Sequence, residues 1–199
     1  MSSAKNQEGS SLKSLGEFAH LDLDRLTRRG VGEVIFGEGK RPEEIAAIME
    51  QLVITQGRAL ATRVSDTAHQ EICNLLARGN FKDLTSDHLT YDSEARCLSW
   101  RSEAPTRIGR GQILVLTAGT SDGSVAAETD QVLRFLGHDT RRINDVGVAG
   151  LHRILSHLEA LRSAEVIIVC AGMEGALSSV VAGLVDRPVI AVPTSVGYG

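Results

Sequence analysis

From Ile113 to Val192 the sequence cycles through one pattern: a continuous apolar run, a turn of small residues, then an amphipathic stretch. The apolar runs are ILVLT (113–117), VIIVCA (166–171) and VIAV after Pro188, and DTRRIND (139–145) is placed to form a second strand between the first two. Val125, Val132, Leu133 and Leu136, then Leu151, Ile154, Leu155, Leu158 and Leu161, then Leu177, Val180, Val181 and Leu184 follow the spacing of helices with one apolar face. Strands that are apolar without alternation are buried on both faces, which a parallel sheet achieves with helices on each side. The spacing therefore predicts an α/β domain over residues 106–199, a parallel sheet flanked by helices.

Residues 17–105 read as a separate small α/β or α+β domain, with the boundary in SEAPTRIGR (102–110). GEVIFG (32–37) reads as a strand. In KRPEEIAAIMEQLVITQG, Pro42 at the first turn with Glu43 and Glu44 behind it marks a helix start, because proline lacks only an amide that would be unpaired there and the carboxylates complement the dipole. RALATRV (58–64), a helix near His69 to Ala77 and a hairpin in LTYDSEARCLSW (89–100) complete that domain. The Ser-rich, polar residues 1–16 read as a disordered tail without the apolar core of a secretory signal.

Bulk properties narrow the function. A net charge of -4 and scattered basic residues are the opposite of a nucleic-acid footprint. The longest apolar run, VIIVCA, falls far short of the roughly 20 residues that span a bilayer, so no membrane partner is expected. Cys73, Cys97 and Cys170 form no CxxC pair and fit a reducing cytoplasm.

In an open parallel sheet, ligands bind beyond the carboxyl ends of the strands. TAGTSDGSVAAE (117–128) lies at such an end: Gly119 admits a ligand close to the backbone, and Thr120, Ser121 and the helix-start amides are donors for a phosphate. Asp122 has two readings, a helix cap or a carboxylate that takes ribose hydroxyls or moves a proton. VCAGMEGALSS repeats the theme with Gly172, Glu174 and Gly175, and NDVGVAGLHR does so with Gly147, Gly150 and His152. Glu174 is either a dipole-favoured residue or a general base between two glycines, and His152 either a solvated or capping histidine or a proton carrier. His138 and His157 are assigned to the surface, and Cys170, ending a buried strand, to the core. No ligand cluster of defined spacing demands a metal, although Asp122 and Glu174 are placed to face a magnesium ion carried by phosphates. Lys40, Arg41 and Trp100 are open to two readings, reaching over a neighbouring nucleotide pocket or, for the tryptophan, core packing.

GTSDGSVAAE, DVGVAGLHRIL and VIIVCAGMEGALSSVVAGLVDRPVIAVPTSVGYG resemble the LarB family of nickel-pincer nucleotide biosynthesis, and LDLDRLTRRGVGEVIFGEGKRPEEI resembles its leading segment. The second half is also similar to class I aminoimidazole ribonucleotide carboxylase, from which LHR (151–153) and AGMEG depart. The resemblance implies a flavodoxin-like three-layer fold of the aminoimidazole ribonucleotide carboxylase type. It implies carboxylation of the pyridinium ring of nicotinic acid adenine dinucleotide with CO2 as co-substrate, plus phosphoanhydride hydrolysis. The products would be pyridinium-3,5-biscarboxylic acid mononucleotide and AMP. Gly119, Thr120, Ser121 and Asp122 would hold phosphate and ribose, Gly172, Met173 and Gly175 would complete the substrate contacts, and Glu174 and His152 would be catalytic. It further implies a cytoplasmic homo-octamer, and a nucleophilic cysteine C-terminal to VPTSVGYG, a position that none of the three cysteines occupies; on that ground the chain reads as truncated after Gly199. The alternatives are a purine-pathway carboxylase or mutase and a non-catalytic nucleotide-binding protein.

Overall fold

A computed structural model describes residues 12–196. The expected tail thus falls largely outside the described residues, but its last part does not behave as a tail: β1 (Leu12–Leu15) pairs antiparallel with β2 (Ala19–Asp22). The described chain divides into two compact units, residues 12–90 with 98–102, and residues 91–97 with 103–196.

The first unit continues with α1 (Arg25–Arg29), β3 (Ile35–Phe36), α2 (Pro42–Gln56), β4 (Arg58–Thr62), α3 (Asp66–Ala77), β5 (Leu89–Asp92) and β6 (Cys97–Arg101). Its sheet runs β3-β4-β6-β5 and is mixed, with β3 parallel and β6 antiparallel to β4. Helix α2 begins as the sequence predicts, at Pro42, and Glu44 folds back to accept from the Arg41 amide at 3.0 Å, which holds its carboxyl below the usual carboxylate range. Its buried face carries Ile45, Ile48, Met49 and Leu52. Arg41 is engaged with Glu44, and Trp100 is buried, its Nε1 donating to the Thr85 carbonyl at 2.9 Å with its ring edge on His88. The core reading of Trp100 is the one the structure supports.

The second unit contains β7 (Gln112–Thr117), α4 (Gly123–Phe135), β8 (Asp139–Ile143), α5 (Leu151–Leu155), α6 (Leu158–Ser163), β9 (Val166–Ala171), α7 (Ala176–Leu184) and β10 (Val189–Pro193). All four strands are parallel in the order β10-β9-β7-β8. Alternation along β7 serves two layers. Leu114 and Leu116 pack with Ile154, Leu161, Leu177 and Val181 of α5, α6 and α7, whereas Val115 packs with Ala126 of α4 and with Ile168 and Cys170 of β9. This is the helix-flanked parallel sheet expected from the pattern.

Two local expectations fail. The apolar stripe 151–161 predicts one helix, but the chain breaks it at Ser156 and His157: Ser156 Oγ donates to the Arg153 carbonyl at 2.7 Å and the His157 amide to Ile154 at 3.0 Å, tightening the turn. Leu155 is left 48% exposed while Ile154 and Leu161 fill the core. Strand β10 is apolar throughout yet lies at the sheet edge, and Ile190 is 51% exposed. Among the described residues no helix is long and apolar enough to cross a membrane.

Candidate active site

The end of β7 is where the second unit's turns are tied together. Thr117 is fully buried; its Oγ1 accepts from the Asp145 amide at 2.9 Å and its carbonyl from the Val146 amide at 3.0 Å. The Ala118 amide donates to the Cys170 carbonyl at 3.1 Å, and the Thr194 amide to Ala171 at 3.0 Å. These bonds draw the turns after β7, β8, β9 and β10 to one edge of the sheet, as strand-end geometry in a parallel sheet requires. They enclose a cavity of about 330 Å3. Gly119, Ser121 and Asp122 line it from the first turn, Gly147, Val148 and Arg153 from the second, Gly172, Met173 and Glu174 from the third, with Val196 beyond β10.

Two glycines make this convergence sterically feasible. A Cβ on Gly147 would sit 2.5 Å from the Ala118 carbonyl oxygen, and one on Gly172 would sit 1.9 Å from the Val196 oxygen and 3.0 Å from Thr194 Oγ1. The turns therefore touch through backbone, and the cavity is built where side chains are missing.

The polar groups fall into fixed and free. Asp122, 4% exposed, is fixed: Oδ2 accepts from the Gly119 amide at 2.8 Å and Oδ1 from Thr194 Oγ1 at 2.6 Å. Both readings of Asp122 thus meet in one residue, since it caps its turn and still lines the cavity. Arg153, which the sequence reading passed over, is the cavity's cation. Its Nη1 contacts Asp145 Oδ2 at 2.7 Å and its Nη2 donates to the Gly147 carbonyl at 3.4 Å. Asp145 is held at φ 58 by the Thr117 bond, which aims its carboxylate. The signal for Arg153 was its place in NDVGVAGLHR as the basic residue in the first turn of the helix that follows a strand end. Glu174 is exposed, lines the cavity and has no hydrogen-bond or ion-pair partner among the described residues.

Other expected site residues lie outside the lining. Thr120 is exposed on the first turn, His152 is exposed on α5, and Gly175 supplies the left-handed φ of 67 that starts α7. Neither His138 nor His157 is fully exposed; both are half-buried. Cys170 is buried, and burial, opposed by a bond from Thr129, pushes its thiol up to about 11, so it stays protonated near neutral pH. Among the described residues no group of three or more His, Cys, Asp or Glu side chains is placed to hold a metal. Asp122 and Glu174, the two acids expected to face a nucleotide-borne magnesium, both line the cavity, with both Asp122 oxygens engaged by Gly119 and Thr194.

A parallel sheet with glycine-rich turns around a mixed polar and apolar cavity defines a carboxylase-type α/β domain here, because residues 112–198 match the AIR carboxylase family. Residues 12–102 match the LarB/PurE-like N-terminal domain. The chain is similar to an uncharacterized protein of Methanocaldococcus jannaschii, 38% identical over 189 residues that cover 94% of this chain and 72% of that protein. The chain belongs to the LarB family. The two domain matches together support a carboxylase-type function.

Proposed function

We propose that the chain carboxylates the pyridinium ring of nicotinic acid adenine dinucleotide and hydrolyses its phosphoanhydride, giving pyridinium-3,5-biscarboxylic acid mononucleotide and AMP. The observation that carries this reading is one cavity presenting both an oriented guanidinium, Arg153 on Asp145, and a carboxylate, Glu174, that has no partner among the described residues. Arg153 suits the ligand's phosphate, since a guanidinium offers paired donors in a fixed plane. Ser121 and the amides of the first turn add donors, and Asp122 keeps lone pairs for a ribose hydroxyl.

A pyridinium is electron-poor and does not attack CO2. A thiolate must first add to the ring and convert it to an enamine, whose carbon then forms the new bond to CO2. Glu174 takes the proton from that carbon, the electron pair returns to the ring, and loss of the thiolate restores aromaticity. Cleavage of the phosphoanhydride by water releases AMP. Among the described residues no cysteine lines the cavity, and Cys170 is held protonated, so Cys73, Cys97 and Cys170 are not assigned as that thiolate. A homo-octamer belongs to the same proposal and is read by native mass measurement, and a cytoplasmic location by cell fractionation.

The test is incubation of the full-length gene product with nicotinic acid adenine dinucleotide and bicarbonate, following AMP and the doubly carboxylated mononucleotide by mass spectrometry. Glu174→Gln should bind the dinucleotide normally and form no carboxylated product. Turnover of 5-aminoimidazole ribonucleotide in place of the dinucleotide would instead establish the purine reading, which the match over residues 112–198 favours; binding without turnover of either would leave a nucleotide-binding protein.

A further inference from the structure

The turn Gly172 to Gly175 is closed by the Gly175 amide donating to the Gly172 carbonyl at 3.1 Å. Its first central residue, Met173, has φ 53, while Glu174 stays at negative φ. Turns with positive φ at that position favour glycine, because a Cβ crowds the backbone there. Met173 nonetheless carries a long apolar side chain, and that side chain is 58% exposed and lines the cavity. Strain held without any gain from burial points to a role outside the fold. Core packing does not explain the residue, since the buried layer below is completed by Ala171 and Leu177.

We propose that Met173 is the ring platform of the site: its thioether packs against the planar heteroaromatic ring of the bound nucleotide and thereby sets which ring Glu174 can reach. The chemistry fits. Sulfur is polarisable and makes favourable contacts with aromatic rings, and the unbranched side chain adjusts to a flat surface. Around it the cavity wall is largely apolar, with Ala149, Ala171 and Leu177 on its lining, while Arg153 supplies the charge for the ligand's anionic end. A ligand matched to both is a flat ring joined through ribose to a phosphate. Met173 and Glu174 both line this cavity, so a ring seated on the thioether lies in the same space as that carboxylate. The inference rests on reading the cavity as the nucleotide site proposed above.

The experiment is calorimetric binding of nicotinic acid mononucleotide, 5-aminoimidazole ribonucleotide and ribose 5-phosphate to the full-length wild-type protein, to Met173→Gly and to Met173→Leu, with thermal midpoints and native masses measured alongside. Met173→Gly relieves the backbone, so its midpoint should equal or exceed the wild-type value, whereas loss of a structural contact would lower it. Its Kd for the ring nucleotide should rise about three- to tenfold, with ribose 5-phosphate unchanged and Met173→Leu close to wild type. Ring binding by Met173→Gly equal to wild type, or an equal loss for ribose 5-phosphate, overturns the platform while leaving the proposed reaction standing. A native mass that falls in Met173→Gly overturns it in favour of a contact between copies. If the wild type binds the imidazole nucleotide alone and Met173→Gly weakens it, the platform holds and the dinucleotide reading fails; if it binds neither ring, both fail.

Discussion

The hydroxyl of Thr194 donates to Oδ1 of Asp122 at 2.6 Å, while the other oxygen of that carboxylate takes the Gly119 amide at 2.8 Å. One buried acid thus clasps the turn after β7 to the chain leaving β10, across the cavity wall. Thr194→Val removes the donor and keeps the shape, leaving a buried carboxyl oxygen short of a partner, which costs about 2 kcal/mol. Urea unfolding should show that loss, and Thr194→Ser should recover most of it. Asp122→Ala should therefore lower stability as well as nucleotide affinity; loss of affinity with an unchanged unfolding midpoint would return Asp122 to a purely ligand-binding role.

Gly172 and Gly175 should respond to alanine for different reasons. At Gly172 a Cβ would meet the Val196 carbonyl at 1.9 Å, a clash with backbone that no rotamer relieves. Gly172→Ala should cost about 2 kcal/mol or more and displace the chain after β10, seen as faster proteolysis there. At Gly175 no heavy atom lies within 4 Å of the added carbon, and the penalty comes only from φ 67, about 1 kcal/mol. Gly175→Asn should be milder than Gly175→Ala, because asparagine tolerates the left-handed region, whereas Gly172→Asn should be worse than Gly172→Ala.

What the sequence disclosed follows from which interactions are periodic. The sheet was legible because Leu114, Val115 and Leu116 are all apolar, and a strand of that kind has to be covered on both faces. The convergence of the turns was legible because parallel strands end together. The break at Ser156 was not, since it depends on one side-chain bond to the Arg153 carbonyl that leaves the apolar spacing intact. Arg153 and Thr194 were missed for a related reason. Thr194 acts through Asp122, 72 residues earlier in the chain, and Arg153 acts through Asp145, which shares its NDVGVAGLHR stretch but is positioned by a bond from its amide to Thr117 of another strand end. His152, attractive for its chemistry, lies on α5 outside the cavity lining, one residue from the arginine that does line it.

Arg153 separates ligand binding from stability. Its bridge to Asp145 is partly solvent-exposed on both sides, with side chains 35% and 50% exposed, so breaking it should change unfolding free energy by less than about 1 kcal/mol. Towards a phosphate the same guanidinium is worth more, because charged hydrogen bonds contribute about 1.5–3 kcal/mol. Arg153→Met should raise the Kd for nicotinic acid mononucleotide about tenfold or more and flatten its salt dependence, with the thermal midpoint nearly unchanged. Arg153→Lys should recover only part of the affinity, since it keeps charge and loses the planar pair of donors. Affinity equal to wild type in Arg153→Met would remove the anion-holding role.

Cys170 should be silent in alkylation and active only in the alkaline limb of stability. Burial pushes its thiol from 9.0 to about 11, with the charge of Asp122 adding to the rise and the Thr129 bond opposing it. A raised folded-state value means that the folded protein holds the proton more tightly than the unfolded chain does. The resulting stability is complete below pH 9 and is lost as pH climbs through about 11. At pH 8, iodoacetamide should label the half-buried Cys73 before Cys170, as peptide mass spectrometry would show. Cys170→Ala should lessen the fall in stability between pH 9 and 11 and leave ligand binding intact. Rapid labelling of Cys170 at pH 8 in the folded protein, or loss of nucleotide binding in Cys170→Ala, would place that thiol in the site instead of beneath it.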